Sequence, residues 1–429
     1  MSAARRAPGG SPRRLILVGP LPPPYYGQSV SFRMLVDEVA RLGVPHAVID
    51  ISHGEASGEK MGEVTRHRFA DYASILRRFF AAATGRRGTV YLQIAQSRAG
   101  FMRDWVMIRY ARLFGHRLVM HLKGGNYDNF YAAQPAWVQA RVRRMLRSAD
   151  HVLVLGERLR AMFDFEPAIA GRIRVVPNGL PDEREPAGAA RTLPAPGEGP
   201  VRLLFLSNLV ESKGWLDVLE AVRLLRDRLG EGRVRCDFHG LFLTWPPDDV
   251  RVTSSEQARE LFDRFVAEHG LEGAARYGGV VAGEEKRRAL QEAHVFVLPT
   301  RYSNEGQPVS IIEAMAYGNV VISTDYRAIP DMVDDGVTGV LVPYAAPRAI
   351  ADAVEALVRD PARYAEMSRA AVARFRARFT RRGHLDTILP HLLEGVVPAP
   401  GPAGAPPAAA RARAGGAGLA QPHPERTQA

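Results

Sequence analysis

The sequence predicts an α/β protein of two doubly wound, Rossmann-like domains facing one another across a cleft. Three observations carry that expectation. Short apolar runs alternate with stretches of helical periodicity, the pattern of a parallel sheet covered by helices on both faces. The alternation occurs twice, and a stretch rich in Pro, Ala, Gly and Glu at residues 181–200 reads as a linker between the two runs. The length of 429 residues suits two domains and a tail at about 150 residues per domain.

The first run follows a polar segment, residues 1–13, expected to be a flexible N-terminus. In RRLILVGPLPPPYYGQSVSFRMLVDEVARLG a strand leads through a Pro/Gly loop into a helix whose apolar Phe32, Leu35, Val36 and Val39 recur at helical spacing. TVYLQIAQ precedes a helix near 101–114, HRLVMHLKGG one near 134–148, and DHVLVLG the helical ERLRAMF, before IRVVPNG ends the domain at residue 180. In residues 201–380, VRLLFLSNL, VRCDFHG, ARYGG, VFVLPT, VVIST and GVLVP read as strands. Helices are expected between them near 214–228, 255–269, 284–292, 308–317 and 346–358. Residues 397–429, almost entirely Pro, Ala, Gly and Arg, have no apolar face to dock and are expected to be disordered. Ligands of doubly wound sheets sit beyond the carboxyl ends of the strands, which here means the cleft.

Composition excludes several classes. Hydrophobic residues at 46% and charged residues at 24% are ordinary for a globular protein. No run approaches the roughly 20 apolar residues that span a bilayer. A single cysteine, Cys236, cannot form an internal disulfide, and the N-terminus runs into LILVG without a secretory cleavage region, so a cytoplasmic location is expected. The net charge of +11 is uneven: residues 1–180 carry +14 and the remainder −3. Such a basic half attracts an anionic partner, whether nucleic acid, a lipid surface or a phosphorylated substrate. Only four of the 57 basic residues are lysines, Lys60, Lys123, Lys213 and Lys286, so each lysine invites a question about its role.

The most informative segment is VFVLPTRYSNEGQPVSIIEAMAYGNVVISTDYRAIPDMVDDGVTGVLVP, residues 295–343. A strand ends in a polar loop and a helix starts near Pro308, a residue suited to the first helical turn. Free N–H groups and the positive dipole end at that point make a seat for phosphate. Glu305 precedes the helix and Glu313 lies inside it among Ile311, Ile312, Ala314 and Met315, where a carboxylate is costly unless it accepts hydrogen bonds, for example from ligand hydroxyls. This E-x7-E pattern, with the following DYRAIPDMVDDGVTG, resembles the retaining nucleotide-sugar glycosyltransferases of the GT-B fold, family 4. The resemblance covers residues 14–395. Asp331 departs from the glutamate common in that family.

The resemblance implies an N-terminal acceptor domain at 14–180 and a nucleotide-sugar domain at 201–380. It also implies that the helix at 381–396 packs back on the first domain. Glu305 then corresponds to the glutamate beside the transferred sugar and Glu313 to the one on the ribose, with the backbone at Gln307 and Val309 near the diphosphate. LLFLSNLVESKG would hold Lys213 at the mouth of the cleft, where an ammonium neutralises a departing diphosphate. Asn208 stands where the family often has an arginine. Gly27, in LPPPYYGQSV, resembles the family's glycine loop. In VMHLKGGNYDNFY, His121 is similar to the histidine beside the sugar, with Lys123 as its rival because many members place the histidine directly before the glycine.

The implied activity is metal-independent transfer of a sugar from a nucleotide diphosphate donor to a sugar or lipid-linked glycan acceptor, with retention, in bacterial polysaccharide or glycolipid assembly. No cofactor beyond the donor is expected. No P-loop, GxGxxG after the first strand, HExxH, Asp-x-Asp or cysteine cluster occurs. An epimerase or phosphorylase on the same architecture, and a basic protein binding nucleic acid or an anionic surface, are the competing readings. Nucleic acid is disfavoured, because the arginines lack aromatic-rich recognition motifs and cleft carboxylates repel phosphate backbones. Trp105, Arg109 and Arg112 fall on one face of the helix at 101–114, opposite Met102, Val106, Tyr110 and Leu113, and Trp137, Arg141 and Arg144 repeat the theme. Those faces suggest peripheral contact with an anionic membrane.

Overall fold

The computed structural model describes residues 14–23, 26–52, 66–85, 87–180, 191–245, 248–394 and 396. The expected N-terminal segment 1–13, the first half of the linker and the tail 397–429 lie outside the described residues. The first domain runs β1 (Leu15–Gly19), α1 (Gly27–Arg41), β2 (His46–Asp50), α2 (Arg66–Ala83), β3 (Thr89–Gln93), α3 (Arg98–Leu113), β4 (Arg117–His121), α4 (Tyr127–Ala132), α5 (Ala136–Arg147), β5 (His151–Val154) and β6 (Ile173–Val175). The second runs β7 (Val201–Leu206), α6 (Trp215–Leu229), β8 (Val234–His239), α7 (Ser255–Glu268), β9 (Ala275–Tyr277), α8 (Gly283–Glu292), β10 (Val295–Leu298), α9 (Val309–Ala316), β11 (Val320–Thr324), α10 (Ile329–Met332), β12 (Gly339–Val342), α11 (Pro347–Arg359) and α12 (Pro361–Arg378). It is followed by α13 (Arg381–Leu393).

Each domain holds a six-stranded parallel sheet, in the order β2-β1-β3-β4-β5-β6 and β12-β11-β10-β7-β8-β9. Chain direction across each sheet reverses once, between β1 and β3 and between β7 and β10, and those switch points open a crevice at the carboxyl ends. The apolar strands follow from burial on both faces. In β1, Leu15 and Leu17 point into one cluster with Phe32 and Leu35 of α1, while Ile16 and Val18 point into another with Ile75, Phe79 and Phe101. The second domain has one continuous core around Phe205, Trp215, Phe238 and Phe296.

Helix α13 crosses back: Leu385, Ile388 and Leu392 share the cluster of Leu15, Leu17 and Val119 in the first domain. Its His384 ring packs on the chain after β6, with Nδ1 2.6 Å from the Pro177 carbonyl oxygen. Other local readings change. ERLRAMF, expected to be an ordinary helix, is a 3-10 turn at Glu157–Phe163. The fully buried residues of α3 include Phe101, Asp104, Met107, Ile108 and Ala111, because α3 is pressed between the sheet, α2 and α5; of the face opposite Trp105, Met102 and Tyr110 pack half-buried on the same core and Leu113 is exposed.

Ending the chain after Thr380 removes the apolar side chains that α13 buries, so it is expected to cost ~5 kcal/mol or more and lower Tm by on the order of 10 °C. Ending it after residue 396 is expected to leave Tm unchanged. Differential scanning calorimetry of the two truncations checks this, and equal melting would contradict the role of the helix.

Candidate functional site

The crevice forms a cavity of about 670 Å³ between the domains. From the first domain it is lined by Tyr26, Gly27 and Ser31 at the start of α1, and by Asn178 after β6. From the second come Ser207 and Asn208 after β7, His239 and Gly240 after β8, Val280 and Lys286 at α8, and Val309, Ser310 and Glu313 of α9. Strand ends and helix starts converge here because every βα connection in a parallel sheet emerges on this side. The first turns of α1 and α9 therefore present backbone N–H groups to the same space.

Beside the cavity the domains touch backbone to backbone. The Gly125 N–H donates to the Asn304 carbonyl oxygen at 3.3 Å, and Gly306 lies against the Lys123 carbonyl oxygen. A Cβ on Gly125 would overlap the Glu305 carbonyl oxygen, so this crossing requires glycine. Around it Asn126 Nδ2 donates to Asn304 Oδ1 at 3.0 Å, and Arg327 pairs with Asp128 at 3.1 Å. Arg327 adopts a left-handed φ of 49°, a strained conformation for a side-chain-bearing residue. Arg158 bonds Asp325 through its guanidinium and Asp331 through its backbone N–H. Gly156 packs against that Asp331 carboxylate.

The carboxylates singled out from the sequence each hold a lysine. Glu313 Oε1 lies 2.6 Å from Lys286 Nζ on the cavity wall. Glu305 is buried, with Oε2 3.5 Å from Lys213 Nζ and 3.4 Å from Thr300 Oγ1. Lys213 also donates to Ser207 Oγ at 3.0 Å, which brings its ammonium to the cavity edge, and it lies over the Tyr302 ring. Gly27, Asn208 and Val309 line the cavity, and Asn208 Oδ1 accepts the Leu241 N–H at 3.3 Å. Gln307 does not line it: its side chain turns to the first domain, accepting the Asn178 N–H at 2.6 Å and donating to the Leu155 carbonyl oxygen at 3.2 Å.

His121, expected beside a bound sugar, is fully buried and does not line the cavity, with Nδ1 2.8 Å from the Tyr91 hydroxyl and Nε2 without a partner among the described residues. Burial, reinforced by Lys123 and His384, holds it well below the usual histidine range, so the ring is neutral. The rival Lys123, two residues on, lies just behind the wall, donating to Ser31 Oγ at 3.1 Å and Asn178 Oδ1 at 3.0 Å, two residues that line it. Burial lowers it to about 7. The strand end turns His121 into the core because Tyr91 and α13 close over it, which no local pattern announces. Lys286, Ser31 and Asn178 were missed by reading motifs. The scarcity of lysine was the available signal, since Lys286 lines this cavity and Lys123 and Lys213 bond residues that line it.

The architecture defines the chain as a two-domain α/β protein of the GT-B fold. It superposes on the Anabaena protein HepE, solved in complex with UDP-glucose, with a TM-score of 0.63 at 15% identity, over 89% of this chain and 99% of that one. In sequence, residues 200–360 of the second domain match the family described as glycosyl transferases group 1. The amylovoran biosynthesis glycosyltransferase AmsK of Erwinia amylovora is 29% identical over 156 residues, 35% of this chain and 34% of that protein. The alpha-maltose-1-phosphate synthase of Mycobacterium tuberculosis is 30% identical over 261 residues, 56% of this chain and 60% of that protein. The matches thus span between a third and three-fifths of these relatives' lengths.

Gly125→Ala is expected to force the glycine crossing apart and cost about 1–3 kcal/mol in urea unfolding, as overpacking does. Gly273→Ala, where a Cβ meets nothing within 4 Å, is expected to change stability by less than about 0.5 kcal/mol. Equal stability of both variants would remove the close approach from the account.

Proposed function

We propose that the chain transfers a sugar from a nucleotide diphosphate donor to an acceptor hydroxyl, with retention of anomeric configuration and without a metal ion. The observation that carries this reading is the cavity at two facing switch points, walled by the Glu313–Lys286 pair and backed by the Glu305–Lys213 pair. In this reading the ribose hydroxyls bond Glu313, whose Oε2 is the oxygen not engaged at 2.6 Å by Lys286. The diphosphate lies at the first turns of α1 and α9, near Gly27 and Val309, where backbone N–H groups bind it. Glu305 holds sugar hydroxyls.

As the bond between the anomeric carbon and the β-phosphate oxygen breaks, negative charge develops on the leaving diphosphate, and Lys213 with the helix N-termini stabilises it. The acceptor oxygen bonds the anomeric carbon from the same face, and its proton passes to the departing phosphate. No covalent intermediate on a glutamate is required, and the lysines supply the charge neutralisation. The relatives named for glycosyl transfer in amylovoran biosynthesis and for alpha-maltose-1-phosphate synthesis support a glycan or phosphorylated acceptor. Assembly of a bacterial polysaccharide or glycolipid follows from that likeness.

The acceptor side is read as meeting an anionic membrane. Among the described residues no helix is long and apolar enough to cross one. On α5, Trp137 is 46% exposed, with the Arg141 guanidinium 4.7 Å from its ring and Arg98 at 5.5 Å. Arg141 also covers the half-buried Trp105 of α3, and Arg109, Arg144 and Leu113 are exposed alongside. Arg112 leaves this group, because it is held by Asp150 and by the His116 and Ser148 carbonyl oxygens.

A thermal-shift panel of UDP-, GDP-, ADP- and dTDP-sugars is expected to show at least one stabilising donor, and no shift with any would sink the reading. Lys213→Ala is then expected to lower kcat by on the order of 100-fold with the fold intact. Glu313→Gln should raise donor KM, and Glu305→Gln should lower kcat at saturating donor. The reverse pattern in steady-state kinetics would exchange the two roles. Co-sedimentation with anionic vesicles should be salt-sensitive, and the affinity should fall on the order of 1000-fold when Arg98, Arg109, Arg141 and Arg144 become Gln, each arginine contributing about 1 kcal/mol. Binding that survives those changes would point to a soluble acceptor.

A further inference from the structure

We propose that Lys123 binds the anionic diphosphate of the donor, and that donor binding draws a proton onto it. This rests on the reading of the cavity as a nucleotide diphosphate site. Three lysines lie at or behind the cavity wall, Lys286 lining it, Lys213 bonded to the lining Ser207 and Lys123 to the lining Ser31 and Asn178, and their surroundings differ. Lys213 has Glu305 and Lys286 has Glu313 as a carboxylate partner. Lys123 is 7% exposed and, among the described residues, pairs with no carboxylate.

Among the described residues, the groups that Lys123 bonds are uncharged. Ser31 of α1 and Asn178 after β6 accept two of its three ammonium protons, at 3.1 and 3.0 Å, and both of these residues line the cavity. Asn178 is itself locked to the second domain, its side-chain amide donating to the Gln307 carbonyl oxygen at 3.2 Å. From β4 comes His121 and from α13 His384, both neutral: burial, with Lys123 close by, pushes His384 down to about 3. From the second domain Gly306 brings only backbone. A buried cation with neutral neighbours lacks a counter-charge, and a diphosphate entering the adjoining cavity supplies one.

The direction follows from linkage. Burial alone lowers the lysine to about 7, so above neutrality much of the free protein lacks this proton. A bound anion favours the charged form and raises the value in the complex. Affinity should be level below about pH 7 and then weaken by up to tenfold per pH unit, until the pH passes the raised value of the complex.

The test is calorimetric titration of the full chain with UDP, GDP, ADP and dTDP at pH 8, in Hepes and in Tris, whose heats of ionisation differ. The difference in heat gives the protons taken up. The nucleotide that binds is expected to bring a sizeable fraction of a proton onto the wild type and markedly less onto Lys123→Arg, which keeps its charge at every pH. Lys123→Met should bind more weakly, also without that uptake. Ionisation of the nucleotide itself is common to all three proteins and cancels. Should the Met variant not fold, the Arg variant and the wild-type affinity from pH 6.5 to 9 decide. Equal proton uptake in wild type and Lys123→Arg, or a wild-type affinity that is level from pH 7 to 9, overturns this inference while leaving the donor site standing. Binding of none of the four overturns both.

Discussion

Everything at the cleft depends on one close approach, that of the Lys123–Asn126 turn to the Asn304–Gln307 turn. Backbone meets backbone there, because Gly125 and Gly306 leave no side chain between the domains. That contact sets the separation of the two sheets' carboxyl ends and so the depth of the cavity. It also removes water from the charged groups behind it, which strengthens each remaining electrostatic interaction. Around the contact, Asn178 and Gln307 bond to one another from opposite domains at 2.6 Å, and Arg327 with Asp128 holds the outer edge. The left-handed backbone at Arg327 is a local cost offset by that cross-domain pair.

The division of labour between the two cationic residue types follows from their chemistry. Arginine, always charged and able to bond several acceptors in a plane, pairs with carboxylates at seams and surfaces, Arg158 across the domains, Arg374 on Asp334 and Arg228 on Asp352 and Glu355, and once in the interior, Arg103 on Asp104. Lysine, a compact point charge whose protonation responds to burial, is kept for the cavity. Its three sites span a graded series. Lys286 is partly exposed with a carboxylate, Lys213 is more enclosed with a carboxylate, and Lys123 is enclosed with none. An arginine at Lys123 would stay charged whether or not an anion were present.

Reading the fold from the sequence succeeded where patterns were local and strong. The apolar strands LILVG, VFVLP and VVIST are buried on both faces, and Pro308 does sit at the start of α9. Edge strand β2, half-buried and bounded by loops, gave a weaker alternation and was passed over, as were α2 and α12. Three neighbours, not one, cover α3, so a single apolar stripe in the sequence does not describe its packing.

The sequence by itself determined the two parallel sheets, the strand–loop–helix frames that bring Glu305, Glu313 and Lys213 to the carboxyl ends, and the excess of charge in the first half. Those features are set by spacing along the chain and by burial on both faces of a strand, which are local properties. Only the tertiary structure decided which charges pair, Glu313 with Lys286 and Glu305 with Lys213. It also decided that His121 is buried against Tyr91 while Lys123 bonds Ser31 and Asn178 of the cavity wall, and that Gln307 serves the domain contact. Partners such as His121 and His384 are more than 250 residues apart in sequence. Their meeting depends on a helix returning from the end of the second domain, and no periodicity along the chain encodes that distance.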